Sequence, residues 1–233
     1  MQTYIISLGG SIFSLSDEIL FDFARAEELK KILIPFIEKG DRFVLSLGGG
    51  YICRKYQSLM RDRGLPDTEL DNVGVSVINT NAVILRAVLG NLASENILRY
   101  KDFDSNEPLN FDKQIIVAAA SNPGHSSDWN AVKLALRCGS ESLINLSNTK
   151  GVFDSDPKEN PNAKFFPDLS WDQYFEIVGN PVDFVPGSHY PFDIMAARMA
   201  KNNNINCYMV DGRNLSNLTE TINGGVFTGT LIH

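Results

Sequence analysis

Short apolar runs that end in glycine constrain this chain more than any other feature. Tyr4-Ile5-Ile6 runs into Gly9-Gly10-Ser11, and Phe43-Val44-Leu45 into Gly48-Gly49-Gly50. Ile115-Ile116-Val117 leads to Pro123-Gly124-His125-Ser126-Ser127-Asp128. Apolar runs this short read as buried strands. Between them lie stretches with helical spacing. Asp22–Lys39 carries Leu29, Ile32, Leu33, Phe36 and Ile37 on one face, with Gly40 past its end. Strand, helix, strand in repeated order predicts an α/β domain with a largely parallel sheet. Ligands of such sheets bind beyond the carboxyl ends of the strands. All three glycine clusters follow strands, so they can converge on one edge.

The remaining pattern agrees. Strands are expected at Tyr4–Leu8, Arg42–Leu47, Lys113–Ala118, Ser142–Leu146, Ile205–Val210 and Phe227–Ile232. Helices are expected at Ile52–Arg63, Thr68–Leu92, Asp128–Arg137, Pro191–Asn203 and Leu215–Ile222. A capping box, Ser170-Trp171-Asp172-Gln173, opens a further helix over Trp171–Val178. Residues 101–113 read as a loop or ragged strand, and 154–168 as loop, as does the stretch with Gly179, Pro181, Pro186 and Gly187. There is no repeat, low-complexity tract or linker, so residues 1–233 read as one domain.

Composition narrows the partners. A net charge of -7 and a pI near 5.0 disfavour a nucleic-acid backbone or an anionic membrane. No stretch reads as long enough to span a membrane, and the apolar start, cut by Gly9-Gly10, reads as a strand rather than a signal peptide. Cys53, Cys138 and Cys207 are isolated, without a CxxC, so neither a metal site nor a disulfide framework is expected. A reduced, cytoplasmic setting fits. His125 and His189 lack ligand spacing, and neither is read as a metal ligand.

Glycine at a strand end lets a polyanion reach backbone N–H groups that a Cβ would screen. Three such loops suggest more phosphate than one nucleotide end carries. That points to a kinase, with a phosphorylated acceptor as one option. The pattern is neither GxxxxGK[ST] nor GxGxxG. Arg54 lies four residues past Gly50, where it could face the same anion. Asp128 and Asp193 each open a helix, which a helix-start acid does well for the dipole alone.

Taken in order, these residues resemble the amino acid kinase family, nearest its uridylate kinase branch of archaeal-type and related bacterial sequences. The resemblance rests on Leu8-Gly9-Gly10-Ser11, Gly48-Gly49-Gly50 with Arg54-Lys55-Tyr56, and Asp71 to Gly74 followed by Asn81-Ala82. It continues through Pro123 to Asp128, Gly151-Val152-Phe153-Asp154-Ser155-Asp156-Pro157, Phe192-Asp193 with Ala196-Ala197, and Gly229-Thr230. It implies a three-layer α/β/α sandwich with a central, mostly parallel sheet. The acceptor half would cover about residues 1–140 and the ATP half about 141–233.

The implied reaction moves the γ-phosphoryl of ATP, with Mg²⁺, to UMP. Gly9, Gly10 and Ser11 would face the transferring phosphates. Gly49, Gly50 and Arg54 would hold the UMP phosphate, and Asp71 the ribose. Ser126 and Ser127 would close over the acceptor, with Asp128 capping their helix. Gly10, Asn148, Phe153, Asp156 and Pro157 would serve ATP, and Asp193 would organise the catalytic groups. No metal-ligating residue is assigned. A homo-oligomer, hexamer or dimer, is implied.

The chain departs from the family pattern at several positions. Ser7 stands where many members carry lysine, Ala119-Ala120 where Gly-Gly is usual, and Asn79 where arginine is usual. Lys150 stands where aspartate is usual, and Asn130 where small or acidic residues are common. Two alternatives therefore stay open: a related kinase with a carboxylate, carbamate or isopentenyl phosphate acceptor, and a non-catalytic nucleotide or oxyanion binder.

Overall fold

The computed structural model describes residues 1–105, 107–120, 122–179 and 190–233. The stretch read as a loop around Pro181, Pro186 and Gly187, and His189 with it, lies outside the described residues.

The chain opens with β1 (Thr3–Leu8) and a 3₁₀ turn at Gly10–Ile12, then α1 (Phe23–Glu38), β2 (Arg42–Leu47), α2 (Gly50–Arg61) and α3 (Asp67–Leu89). Further 3₁₀ turns at Gly90–Leu92 and Tyr100–Phe103 precede β3 (Ile115–Ala118), α4 (Ser127–Cys138) and β4 (Ser142–Ser147). The short strands β5 (Val152–Phe153), β6 (Phe165–Phe166) and β7 (Asp168–Leu169) follow. Then come α5 (Trp171–Val178), α6 (Ile194–Asn202), β8 (Asn206–Asp211), α7 (Ser216–Ile222) and β9 (Gly229–Ile232).

Seven strands form one sheet in the order β3-β2-β1-β4-β8-β9-β7. The five from β3 to β8 are parallel, and β9 turns antiparallel to β8. Side chains of a strand alternate between faces, and here the alternation sorts the core into two halves. Ile6, Leu8, Phe43, Leu45, Ile115, Val117, Ile144 and Leu146 pack with α1, α3 and α7 on one face. Ile5, Val44, Ile116, Ala118 and Leu143 pack with α4, α5 and α6 on the other. Each large side chain so buried contributes roughly 1.5–3 kcal/mol. The result is the expected three-layer α/β/α sandwich.

Local chemistry fixes the helix ends. Asp22 accepts from the Arg25 amide at 2.9 Å to start α1, and the Ser170–Gln173 capping box starts α5 as its spacing predicts. Gly139 ends α4 in the left-handed conformation at φ +62.

Three expectations are corrected. Residues 154–168 are not all loop: β6 begins inside that stretch and pairs antiparallel with β5, Val152 opposite Phe166 and Phe153 opposite Phe165. The helix after Phe192 starts at Ile194, with Asp193 as its cap. Asp67–Leu92, 26 residues holding an 18-residue window of mean hydropathy 1.5, is long and apolar enough by length and composition to cross a membrane. In this fold the helix packs on α1 and α2, with Leu70, Val77, Ala82, Leu85 and Leu89 buried.

Candidate active site

Parallel neighbours send their carboxyl ends to one edge. The loops after β1, β2, β3, β4 and β8 therefore gather there. The first two touch. A Cβ on Gly10 would lie 1.9 Å from the Gly50 amide nitrogen, and one on Gly48 would lie 2.6 Å from that of Gly10. Gly50 adopts φ +71, and a Cβ there would lie 2.4 Å from the Gly10 carbonyl oxygen. A Cβ on Gly49 would strike the Cys53 side chain at 2.5 Å. The glycines thus have a reason the sequence did not disclose: one loop packs backbone to backbone on the other. Asn81 steadies the pair by donating to the Gly48 and Gly49 carbonyls, each at 3.2 Å.

At this edge stands Asp128, in the first turn of α4 and walled by β1, β4 and the start of α6. Its Oδ1 accepts from Ser7 Oγ at 3.1 Å and from Asn145 Nδ2 at 2.7 Å. Its Oδ2 accepts the Asp193 amide at 3.1 Å. Burial pushes the Asp128 carboxyl up to about 6, and the Asp193 charge adds to the rise against these hydrogen bonds. Asp128 does not cap α4. Ser126 does, its Oγ accepting the Trp129 amide at 3.1 Å. Asp128 lies inside the helix, so its side chain is free to reach sideways to the strands.

Asp193 caps α6, with Oδ1 accepting the Ala196 amide at 2.8 Å. Burial raises this carboxyl, while the Ala196 amide and the Ser126 hydroxyl pull it back. One hydrogen-bonded unit therefore joins β1, β4, α4 and α6 through Ser7, Asn145, Asp128 and Asp193.

Beside the second glycine loop, Arg54 is exposed in the second turn of α2. Burial raises the Asp71 carboxyl, and a bond from the Gly124 amide opposes that rise. The 122–126 segment thus reaches back to α3. His125 stacks on Trp129 with ring centroids 3.8 Å apart. A cavity of about 100 Å³ is lined by Gly124, His125, Ser126, Trp129, Asp193 and Met195. Ser127 contributes its carbonyl, which accepts from Ser46 Oγ at 3.4 Å. Ala119 and Ala120 are buried, and Ala119 belongs to the core on the sheet face that carries α1, α3 and α7.

On the other side, Asn148 lies in the loop after β4 and is exposed. Phe153 sits on β5 against Phe165, ring centroids 5.3 Å apart. Asp156 Oδ1 accepts the Lys158 amide at 2.8 Å in the exposed turn that also holds Pro157. Phe153, Asp156 and Pro157 belong to this hairpin, outside the hydrogen-bonded unit at Asp128. Among the described residues, no three His, Cys, Asp or Glu side chains cluster to hold a metal ion.

Asn145 was missed by sequence reasoning, and Asp128 was read only as a cap. A signal existed: Ser7 and Asn145 interrupt the apolar strands Ile-Ile-Ser-Leu and Leu-Ile-Asn-Leu, and they are register partners. A buried polar residue inside an apolar strand needs a partner.

Comparison with known proteins adds an independent line. The chain is 31% identical to the uridylate kinase of Thermococcus kodakarensis, over 98% of each chain. It is 31% identical to that of Methanospirillum hungatei over 100% of this chain and 95% of the relative. The crystal structure of uridylate kinase from Archaeoglobus fulgidus superposes with a TM-score of 0.79, at 27% identity and full coverage of both chains. The UMP kinase structure from Bacillus anthracis, at 20% identity and a TM-score of 0.76, shares the fold. A sequence model of the amino acid kinase family matches residues 2–211. With the sandwich fold in agreement, this chain belongs to the amino acid kinase family.

Proposed function

We propose that this chain is a nucleoside monophosphate kinase that moves the γ-phosphoryl of ATP to UMP, giving UDP and ADP. The observation that carries the reading is the pairing of two interlocked glycine loops with the Asp128 unit at one sheet edge, in a chain collinear with uridylate kinases.

Phosphoryl transfer asks for alignment and charge neutralisation rather than a covalent nucleophile. An α-phosphate oxygen of UMP attacks the γ-phosphorus, and the bond to the β,γ-bridging oxygen breaks. The Gly9 amide is committed to the Leu146 carbonyl at 2.9 Å. Gly9 therefore shapes the turn, and the amides of Gly10 and Ser11 serve the transferring group. Gly49, Gly50 and Arg54 hold the UMP phosphate, and Asp71 takes the ribose hydroxyls. Ser126 and Ser127 close over the acceptor. Asn148, Phe153, Asp156 and Pro157 line the donor's base and ribose. Asp193 and Asp128 position the strand ends and helix starts that carry these groups. Mg²⁺, when bound, would supply charge neutralisation on the donor phosphates, held there by phosphate oxygens and water, with no protein ligand assigned. In this reading the acceptor half covers about residues 1–140 and the donor half about 141–233. Self-association fits an α3 window of which only 28% is buried within the chain.

The test is ADP production from MgATP with UMP, CMP, dUMP, acetylglutamate and isopentenyl phosphate as separate acceptors, with Asp193→Asn alongside. Turnover on UMP, lost in the variant, supports the reading. A second reading, a nucleotide binder without turnover, is favoured by Ser7, whose neutral hydroxyl is already given to Asp128. Binding of ATP or UMP with no turnover on any acceptor would select it.

A further inference from the structure

Positive charge is scarce at the carboxyl edge of the sheet. Asp128, Asp193 and Asp211 bring carboxylates there, and Ser7 brings only a hydroxyl. Among the described residues, most cations following the parallel strands are engaged. Arg213 is paired with Asp211 at 2.5 Å. Arg25 donates to the Gly212 carbonyl at 2.8 Å and the Arg213 carbonyl at 3.2 Å. Lys55 is paired with Asp17. Arg54, after β2, and Lys150, after β4, have no ion-pair partner among the described residues.

Lys150 stands in a built segment. The Thr149 amide donates to Ser147 Oγ at 3.1 Å, and the Ser147 and Thr149 hydroxyls lie 2.9 Å apart. Gly151 then takes φ +141, where a Cβ would lie 2.4 Å from Thr230 Oγ1. The Val152 amide donates to that same hydroxyl at 2.9 Å. The backbone on both sides of Lys150 is therefore pinned. The Lys150 ammonium lies 4.6 Å from the centroid of the Phe165 ring, and that ring packs on Phe153. An ammonium over an aromatic face is held without losing its charge. Burial works against the Asp211 charge, but Arg213, with Lys150 also contributing, holds that carboxyl below its ordinary value. Lys150 thus acts electrostatically at the carboxyl end of β8.

We propose that Lys150 is the donor-side phosphate contact of this chain, its ammonium meeting the phosphates of ATP beside the Phe153–Phe165 aromatic pair that takes the base. The assignment rests on the donor site described under the proposed function. An aromatic face and a cation side by side are what a nucleoside polyphosphate offers surfaces to. Lys150 and Arg54 would then put a cation without an ion-pair partner among the described residues on each half of the site, in place of a charge at position 7.

Calorimetric titration of the full chain with MgATP and with adenosine tests this. Lys150→Met keeps a long side chain over Phe165 and removes only the charge. We expect it to weaken ATP binding about fivefold or more at low salt, less at high salt. Adenosine affinity stays unchanged, and Lys150→Arg restores ATP affinity. Equal losses for ATP and adenosine, or no loss for either, overturn the proposal. Wild-type protein that binds no ATP at all overturns the donor-site reading itself, and Lys150's role with it. Unchanged melting midpoints show that the variants fold.

Discussion

Asn145 donates from Nδ2 to Asp128 Oδ1 at 2.7 Å, joining the middle of the sheet to the first turn of α4. Asn145 is only 4% exposed. Its replacement by leucine leaves the carboxylate short of a donor in a confined place. Asn145→Leu is expected to cost about 1–3 kcal/mol in urea denaturation. It also drives the Asp128 carboxyl further up, readable by NMR titration. A change in stability below 0.5 kcal/mol or so would show that the bond is not structural.

Asp128 makes folding pH-dependent. Its carboxyl sits at about 6 in the folded chain against an ordinary value of 3.8. The folded state therefore binds the proton more tightly than the unfolded state. This contribution to stability is fully present below the ordinary value and is lost as pH rises through about 6. Asp128→Asn removes that slope. Melting midpoints of wild type and variant, compared from pH 4 to 7, should change their difference across this window. Parallel curves would refute the shift.

Gly10→Ala should be far worse than Gly40→Ala. The first puts a methyl 1.9 Å from the Gly50 nitrogen, while the second meets nothing within 4 Å at φ +91. We expect about 2 kcal/mol or more from the forced separation of the loops. The strain at Gly40 alone should cost about 1 kcal/mol. Turnover on UMP should be lost only in the first variant. Similar stability in both would mean that the loops yield.

Arg54→Ala separates the halves of the site. Affinity for UMP should fall about tenfold while affinity for ATP holds, because a charge-assisted contact to one phosphate is removed. Equal losses for both nucleotides in titration would count against an acceptor-side role.

Much of the fold was legible because its strands are short, apolar and closed by glycine. Tyr4–Leu8 and Arg42–Leu47 could be read directly, and the Ser170–Gln173 box announced α5. Phe165–Phe166 and Asp168–Leu169 could not, since two residues carry no periodicity and their pairing comes from distant Phe153 and Ile232. The site was legible as a set of residues but not as a network. Ser7 and Asp128 are 121 residues apart, and only the sheet order brings them together. The glycines were seen for their openness to a ligand, whereas their closeness to each other depends on β1 lying beside β2.

That closeness has a consequence for redesign. Gly10 and Gly50 leave no clearance in which one loop could shift while the other stays. Residues 9–14 and 48–52 must therefore be grafted as a single cassette. An attempt to change the acceptor by exchanging the second loop alone would import a shape the first cannot accommodate.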